Sequence, residues 1–420
     1  MIDICAQEKK QLSSITAALA RIASAIEPVT ETERVTLKNA LGRVLAEPIY
    51  SAINSPFDRN SAMDGYAFSS HNLIPEQSIS LTQVGISWAG QPYQGTLQSG
   101  QCVRIFTGAV LPAETDSVIM QEQVQVDASS INFTAQTQGK QHVRAIGEDI
   151  KQGDLVCAAF KKITATDLGL LASVGTESLV VIRKVNIAYF STGNELTALG
   201  QALESGKIYD SNRYLLSGLL TDTCYQVTDL GVIADDPQQL EDCILAAAKN
   251  HDLIMSTGGA SVGDADYIKE VLARCGKVDF WKIAIKPGKP LAFGKIHDCH
   301  FFGLPGNPVA VVVTFQHIVA PALEQLSGIS MSQPLQLLAK CTTALKKSPG
   351  RQEYQRGIVS QDNNGELLVA SSGQQGSNIL SATSAANCYI VLPVECRGIQ
   401  PGEQVRIELI RSVISSVISH

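Results

Sequence analysis

The chain lacks any run of 18 or more apolar residues, so nothing in it reads as a membrane-spanning helix. It also lacks an excess of positive charge. Its 33 basic and 40 acidic residues leave a net charge of −7, which argues against a general nucleic-acid surface and suits a soluble protein. The opening residues, Met1-Ile2-Asp3-Ile4-Cys5-Ala6-Gln7-Glu8-Lys9-Lys10, do not follow the basic-then-apolar order of a secretory signal. There is no Cys-x-x-Cys. The ten cysteines and seven histidines are scattered, which speaks for reduced cytosolic thiols rather than a disulfide frame or a zinc site. His297 and His300 lie close together, but a loop between two strands explains them as well as a metal does. Repeats and low-complexity linkers are missing too. What is left is an ordinary globular composition, 420 residues and 45% apolar, enough for a sizeable core in about two to four domains.

The chemistry concentrates between residues 252 and 308. A short apolar run, Leu253-Ile254-Met255, leads into Ser256-Thr257-Gly258-Gly259 and on to Asp264 and Asp266. A helix is expected from 267 to 274. Next come Trp281-Lys282 and the basic turn Lys286-Pro287-Gly288-Lys289-Pro290, then Phe301-Phe302-Gly303-Leu304-Pro305-Gly306-Asn307-Pro308. The stretch reads as strand, glycine turn, helix, strand, basic turn, strand, proline turn. Ligands of open α/β sheets bind outside the carboxyl ends of the strands, where such turns lie. Glycines admit a ligand to the backbone, and a helix N-terminus favours anions. Each motif alone could be a plain turn. Together, acid, base and bare backbone imply an anionic, metal-assisted substrate.

The rest of the chain frames this stretch. Residues 8–27 carry apolar positions at helical steps until Pro28, and 35–45 reads as the start of a second helix. Residues 53–68 gather Asp58, Asn60, Ser61 and Asp64 before an apolar strand; turn-forming residues explain much of this, yet Asp64 sits against Gly65 and Tyr66. Short strands at 80–84, 101–106, 117–121 and 131–134 imply a small β domain, with Thr107-Gly108 at a strand end. Arg144 precedes Gly147-Glu148-Asp149, which a salt-bridged turn would explain. A helix is expected over 164–174, starting at Thr166-Asp167 and stopped by Gly175. From 184 strands and helices alternate, which implies a parallel sheet covered by helices. A largely apolar helix follows Pro308 to Gly328, and short strands from 335 to 409 imply a small barrel or sandwich. Glu195, Asp235 and Asp266 all fall in strand-end turns of the one sheet. Three such carboxylates would suit a hard cation such as Mg²⁺.

These stretches together resemble the molybdopterin molybdenumtransferase family, the bacterial MoeA proteins and the E domain of animal gephyrin. The resemblance rests on Ser61-Ala62-Met63-Asp64-Gly65-Tyr66-Ala67, Arg104-Ile105-Phe106-Thr107-Gly108-Ala109, Arg144 with Gly147-Glu148-Asp149-Ile150, Ser191-Thr192-Gly193-Asn194-Glu195-Leu196 and Tyr209-Asp210-Ser211-Asn212-Arg213. It continues through Asp235-Asp236-Pro237, the run from Ser256 to Tyr267, Trp281 to Pro290, Gly303 to Pro308, and Gly376-Ser377, in family order along almost the whole chain.

The resemblance implies a multidomain α/β plus β fold. Residues 1–50 and 147–183 would form a split helical, elongated dimerisation domain, 51–146 an inserted β domain, 184–330 a three-layer α/β catalytic domain like that of MogA, and 331–420 a C-terminal β-barrel. It implies a cytoplasmic homodimer whose site lies between subunits, with no nucleic acid and no membrane. It implies Mg²⁺-dependent transfer of molybdenum from molybdate into adenylylated molybdopterin with release of AMP. A molybdopterin adenylyltransferase is left open as a docking partner.

By the same resemblance, Glu195, Asp235 and Asp266 would be the metal and phosphate acids, and Asp64 and Thr107 the contribution of the partner domain. Lys282, Lys286, Lys289, Arg356 and Ser377 would cradle molybdate and phosphates, with Arg144, Ser256, Gly258, Gly259, Pro305 and Pro308 lining the anion site. A hard dianion whose water is replaced by fixed Lys, Arg and backbone amides makes chemical sense of that set. Whether water or a molybdate oxygen attacks stays open. The chain departs from many relatives at Asn194, where they carry Asp, at Ala145-Ile146, where several are basic, and at Ala310, often Ser. Two other readings are weighed. A related adenylyltransferase would share the α/β part but not the β insertion, the barrel or the Asp64 motif. A dimeric scaffold would not need intact site acids.

Overall fold

Residues 185–326 alternate strand and helix, and they build a six-stranded sheet in the computed structural model, which describes residues 12–71, 74, 76–134, 139–258, 267–331 and 334–410. Its strands are β1 (Val185–Thr192), β2 (Tyr225–Ile233), β3 (Leu253–Thr257), β4 (Lys277–Lys282), β5 (Pro290–Ile296) and β6 (Cys299–Leu304), in the order β2-β1-β3-β6-β5-β4. Four are parallel, β2, β1, β3 and β6. β5 runs antiparallel to both neighbours. The sheet is therefore mixed, not all-parallel as the alternation suggests. The reason is local: only His297 and Asp298 separate β5 from β6, and a two-residue link can make a hairpin but not a crossover.

The chain steps from β1 outward to β2 and then back across β1 to β3. This places a crevice at the carboxyl ends of β1 and β3. All five residues of β3 and all six of β6 are buried, as strands covered on both faces must be. Helices α1 (Asn212–Leu219), α2 (Pro237–Ala248) and α3 (Tyr267–Cys275) cover the sheet. α2 starts because Asp236 accepts a hydrogen bond from the Gln239 amide at 2.8 Å and Pro237 occupies its first position. Its Leu240 and Ile244 pack with Ile254, Val271, Leu272 and Phe301 in one core. The helix α4 (Pro308–Leu326) contains a π turn at Phe315–Val319. Among the described residues it is the one helix long and apolar enough to cross a membrane, but it is 83% buried inside the protein and serves as a core helix.

The chain divides into two compact units. The first holds this α/β part, the C-terminal barrel and the helix Ile15–Ala25, which covers part of the expected 8–27. That helix is capped by Ser14, buries Ala18 and Ile22, and is tied to α4, whose Gln325 amide donates to the carbonyls of Ala23 and Ile26. The barrel closes through five strands: Gln352–Gln361, Leu367–Ser371, Gln336–Cys341, Gln404–Leu409 and Cys388–Leu392, which pairs back with the first. Cys341, Val369, Cys388, Ile390 and Ile407 fill it. All nine described cysteines are free thiols.

The second unit, Arg34–Leu41 with Leu45–Val180, holds a six-stranded sheet in the order Ser117–Met120, Gly65–Phe68, Gln101–Ile105, Ser78–Ser87, Ser130–Thr134 and Gln125–Asp127. Two expectations change here. The helix expected at 35–45 is the end of strand Thr32–Thr36 plus one 3₁₀ turn, Leu37–Asn39; β-branched Thr32, Val35 and Thr36 favour the extended chain. Helix Ala165–Ser173 starts one residue before Thr166, because Thr164 and Asp167 cap each other reciprocally.

Buried beneath the amino end of the sheet, His300 is 3% exposed, stacks on Phe293, and has no partner for Nδ1 among the described residues. Burial, helped by nearby Lys295, lowers its pKa from 6.5 to about 4, with Asp252 opposing. The unfolded chain therefore takes up a proton that the folded one refuses, so stability falls as pH drops below the unfolded value. We expect His300→Leu to remove about 2 kcal/mol of the stability lost between about pH 7 and pH 5, read by chemical denaturation at both values. Parallel losses in wild type and variant would refute this.

Candidate active site

The carboxyl ends of β1, β2, β3 and β6 meet along one edge. β1 ends in Ser191-Thr192, then Gly193-Asn194-Glu195. β2 ends one residue before Ala234-Asp235. The Thr192 hydroxyl donates to one oxygen of Asp235 at 2.6 Å, and the Asn194 backbone N–H donates to the other at 3.1 Å. The Asp235 carboxylate is thus fixed from two sides. Its neighbour Asp236 is spent on capping α2. Glu195, next to Asn194, is exposed. Gly193 sits at φ +147°, and a Cβ there would lie 2.6 Å from the Glu195 carboxylate. Gly258 sits at φ +88°, and a Cβ there would lie 2.6 Å from the Thr192 carbonyl oxygen. Both positions favour glycine for conformation, and Gly258, which faces backbone, requires it for space as well.

A second layer holds this edge. Ser191 donates to Asp210 at 3.1 Å and shares a hydrogen bond with Thr257 at 2.9 Å. Asp210 is 3% exposed and pairs with Arg213, which also reaches Asp229. Ser256 is fully buried, and its hydroxyl has no partner among the described residues. After β6, Pro305 is buried and Pro308 opens α4. Asn307 does not cap that helix; its side-chain amide instead donates to the Ser377 hydroxyl at 3.3 Å, joining the proline turn to the barrel. The first-turn amides of α4 are left without a side-chain cap, an arrangement that favours an anion.

The basic turn leaves the sheet between β4 and β5, and Ile285–Lys286 pairs with the barrel strand Gln352–Gln361. Lys286 lies opposite Glu353, and the two form an ion pair at 3.1 Å. Glu353 is 5% exposed at its side chain, Lys286 43%. Lys282 and Lys289 are exposed and make no side-chain hydrogen bond or ion pair among the described residues. Arg356 is 1% exposed. Its guanidinium donates to the carbonyls of Gln374 at 3.2 Å and Gly376 at 3.0 Å, so it first of all holds the loop that carries Ser377. Its Nε is buried and has no partner among the described residues. Burial works against its charge and pulls its pKa down, with Tyr389 and Glu353 opposing.

In the other unit, Thr107 donates to Asp64 twice, from its N–H at 2.7 Å and its hydroxyl at 2.8 Å. These bonds, with the charge of Arg104 beyond them, hold the Asp64 carboxyl below its ordinary range. Arg144 is exposed in a short ladder opposite Asn60. The turn after it is closed by the Ala145 N–H donating to the Glu148 carboxylate, not by an ion pair to Arg144.

Of the expected residues, the structure links Asp235 to the Asn194–Glu195 turn, Ser377 to the proline turn, and Asp64 to Thr107. Gly259 and Asp266 lie outside the described residues, and with them the expected triad of acids. Among the described residues no three His, Cys, Asp or Glu side chains cluster as a metal site. Sequence reasoning missed Thr192, Asp210, Asn307 and Glu353. Thr192 was visible as part of a Ser-Thr-Gly strand end. Glu353 carries no local signal, since its partner is 67 residues away in the chain, from 353 − 286.

Fold and edge together define a multidomain α/β protein whose strand-end site carries fixed acid, solvent-facing lysines and an uncapped helix start, as an enzyme for anionic substrates requires. The family comparisons are specific. Residues 13–175 match the MoeA N-terminal region (domain I and II), 188–325 a probable molybdopterin binding domain, and 339–410 the MoeA C-terminal region (domain IV). A molybdopterin molybdenumtransferase of Haemophilus influenzae is 44% identical over 90% of this chain and 94% of its own length. Gephyrin of Dictyostelium discoideum is 32% identical over 90% of this chain and 60% of its own. The crystal structure of the molybdopterin biosynthesis moeA protein from Pyrococcus horikoshii superposes with a TM-score of 0.82 at 27% identity, covering 95% of this chain and all of that one. The chain belongs to the molybdopterin molybdenumtransferase family. It is a transferase of molybdenum cofactor biosynthesis.

Proposed function

We propose that this transferase takes molybdenum from molybdate and inserts it into adenylylated molybdopterin, releasing AMP, with Mg²⁺ as its metal. The observation that carries the reading is the fixed carboxylate of Asp235 at the carboxyl edge of β2, held by Thr192 and Asn194. Asp235 and Glu195 supply hard oxygen donors, while neither His nor Cys stands among the expected site residues, a set that fits Mg²⁺ and not zinc. Together with Asp266 they would hold the ion, whose charge neutralises the phosphate at the bond that is cleaved.

The remaining work falls to this chain's own groups. Lys282, Lys286 and Lys289 carry positive charge to the oxyanion, with Lys286 aimed by Glu353. Ser377 and the first-turn amides of α4 offer neutral donors beside it. Ser256, Gly258, Pro305 and Pro308 shape the wall, and Arg356 holds the Ser377 loop through one guanidinium nitrogen, its buried Nε–H left without a partner among the described residues. Asp64, Thr107 and Arg144, in the other unit, would serve as the contribution of a second subunit in a cytoplasmic homodimer. We keep the four-part division, with a split domain at 1–50 and 147–183, the β insertion at 51–146, the α/β part at 184–330 and the barrel at 331–420. An adenylyltransferase that hands over its product is the expected partner.

The test is AMP release by the purified protein supplied with adenylylated molybdopterin and Mg²⁺, with and without molybdate. Molybdate-dependent release that excess EDTA abolishes is the expected result. Release indifferent to molybdate, or full activity in EDTA, would overturn the corresponding part.

A further inference from the structure

One side chain near Asp64 has no role in the reading above. Trp88 stands at the end of strand Ser78–Ser87 and closes a tight turn, its N–H donating to Gln91 and its carbonyl accepting from Gln91, both at 3.0 Å. Its indole stacks flat on Phe106, centroids 4.1 Å apart and planes 6° from parallel. The guanidinium of Arg104 lies 4.8 Å from the Phe106 ring and 5.0 Å from the Tyr66 ring. Indole and guanidinium cannot share one face of a benzyl ring. The groups therefore form a column, Tyr66, Arg104, Phe106, Trp88.

The column is rigid at its base. Arg104 donates to the Gly65 carbonyl at 3.0 Å and to the Gln121 side chain. Tyr66 is 7% exposed. At its top Trp88 remains 48% exposed. The column also adjoins the Asp64–Thr107 pair, because Phe106 precedes Thr107 and Arg104 lowers the Asp64 pKa through its charge. A preorganised, half-open indole beside a polar pair is what a flat ring needs in order to bind without ordering its receptor.

We propose that the outer face of Trp88 is a stacking platform for a planar heteroaromatic ring of the substrate, purine or pterin, whose polar tail runs toward Asp64 and Thr107. The proposal rests on the assignment of Asp64 and Thr107 to the substrate site. Stacking is indifferent to which π-face it meets, so the two rings share this chemistry and experiment separates them.

Trp88 and Trp281 are the two tryptophans of the chain, so Trp281→Phe leaves Trp88 as the sole indole emitter. In that protein, AMP and a free pterin are titrated separately, with ribose 5-phosphate as the control that has a tail but no ring. Quenching by AMP alone assigns the purine, quenching by the pterin alone assigns the pterin, and either supports the platform. If Trp281→Phe does not fold, the same titration compares wild type with Trp88→Phe, and the difference reports Trp88. In turnover, Trp88→Ala should raise KM for adenylylated molybdopterin by about tenfold or more with kcat little changed, and Trp88→Tyr should restore it. No quenching by either ring, equal quenching by ribose 5-phosphate, or an unchanged KM in Trp88→Ala overturns the proposal. So does a loss of subunit association with KM intact, which would make Trp88 a protein contact. Asp64→Asn separates the underlying assignment: if it keeps full activity that assignment has failed, whereas inactive Asp64→Asn beside an unaffected Trp88→Ala fails the platform alone.

Discussion

Lys286→Met is expected to lower molybdenum insertion by about 100-fold or more and, separately, to destabilise the fold by about 1–2 kcal/mol. The two losses have different origins. The first is the loss of a charged donor to an oxyanion. The second arises at Glu353, whose side chain is 5% exposed and whose remaining partner would be the neutral amide of Gln355 at 3.1 Å. A buried carboxylate stripped of its cation is costly; here the cost is reduced because Lys286 is 43% exposed and water reaches the pair. Adding Glu353→Gln to Lys286→Met should restore the denaturation midpoint while leaving insertion low. Lys282→Met, at an exposed lysine without such a partner, should cost activity and leave stability alone. Recovery of activity in the double variant would mean that Lys286 matters for folding and not for the anion, and the cradle would lose its central member.

That contrast shows where the sequence is readable. Elements whose causes lie within a few residues are legible. The helices expected from the sequence at 238–249 and 309–326 became α2 and α4, and the Asp235-Asp236-Pro237 turn sits at the end of β2 as expected. Which of its two acids is free for chemistry is decided by partners, since Asp236 caps α2 while Asp235 turns to Thr192 across 43 residues of chain. Arg356 makes the same point in reverse. As a residue type it reads as an anion ligand, yet in the barrel one nitrogen of its guanidinium is spent on two loop carbonyls, a tertiary fact with no trace in its neighbours. The antiparallel β5 could have been read from the length of its link to β6, because two residues permit nothing else. The helix wrongly expected at 35–45 is a case of period: Leu37 and Leu41 suggest a helical face, but the β-branched residues before them win.

Asp235→Asn is expected to abolish insertion, by at least about 100-fold, with the fold intact. The amide is nearly the same shape and can keep both contacts: its oxygen can accept from the Asn194 N–H, and its nitrogen can donate to Thr192 if that hydroxyl turns to accept. The variant thus removes charge and little else. Thr192→Val does the opposite. It leaves the carboxylate charged but takes away the hydroxyl that orients it at 2.6 Å. Its loss should be milder, about 10–100-fold, and raised Mg²⁺ should recover part of it, since a loosely held ligand still binds when the ion is abundant. Mg²⁺ should not rescue Asp235→Asn. In the double variant the hydroxyl no longer has a charged ligand to orient, so the combined loss should be smaller than the product of the single ones. Titration of Mg²⁺ against insertion rate in the four proteins decides this. Multiplicative losses, or equal Mg²⁺ dependence throughout, would mean that Thr192 and Asp235 do not act as one unit at the metal and that the edge of β1 and β2 binds something else.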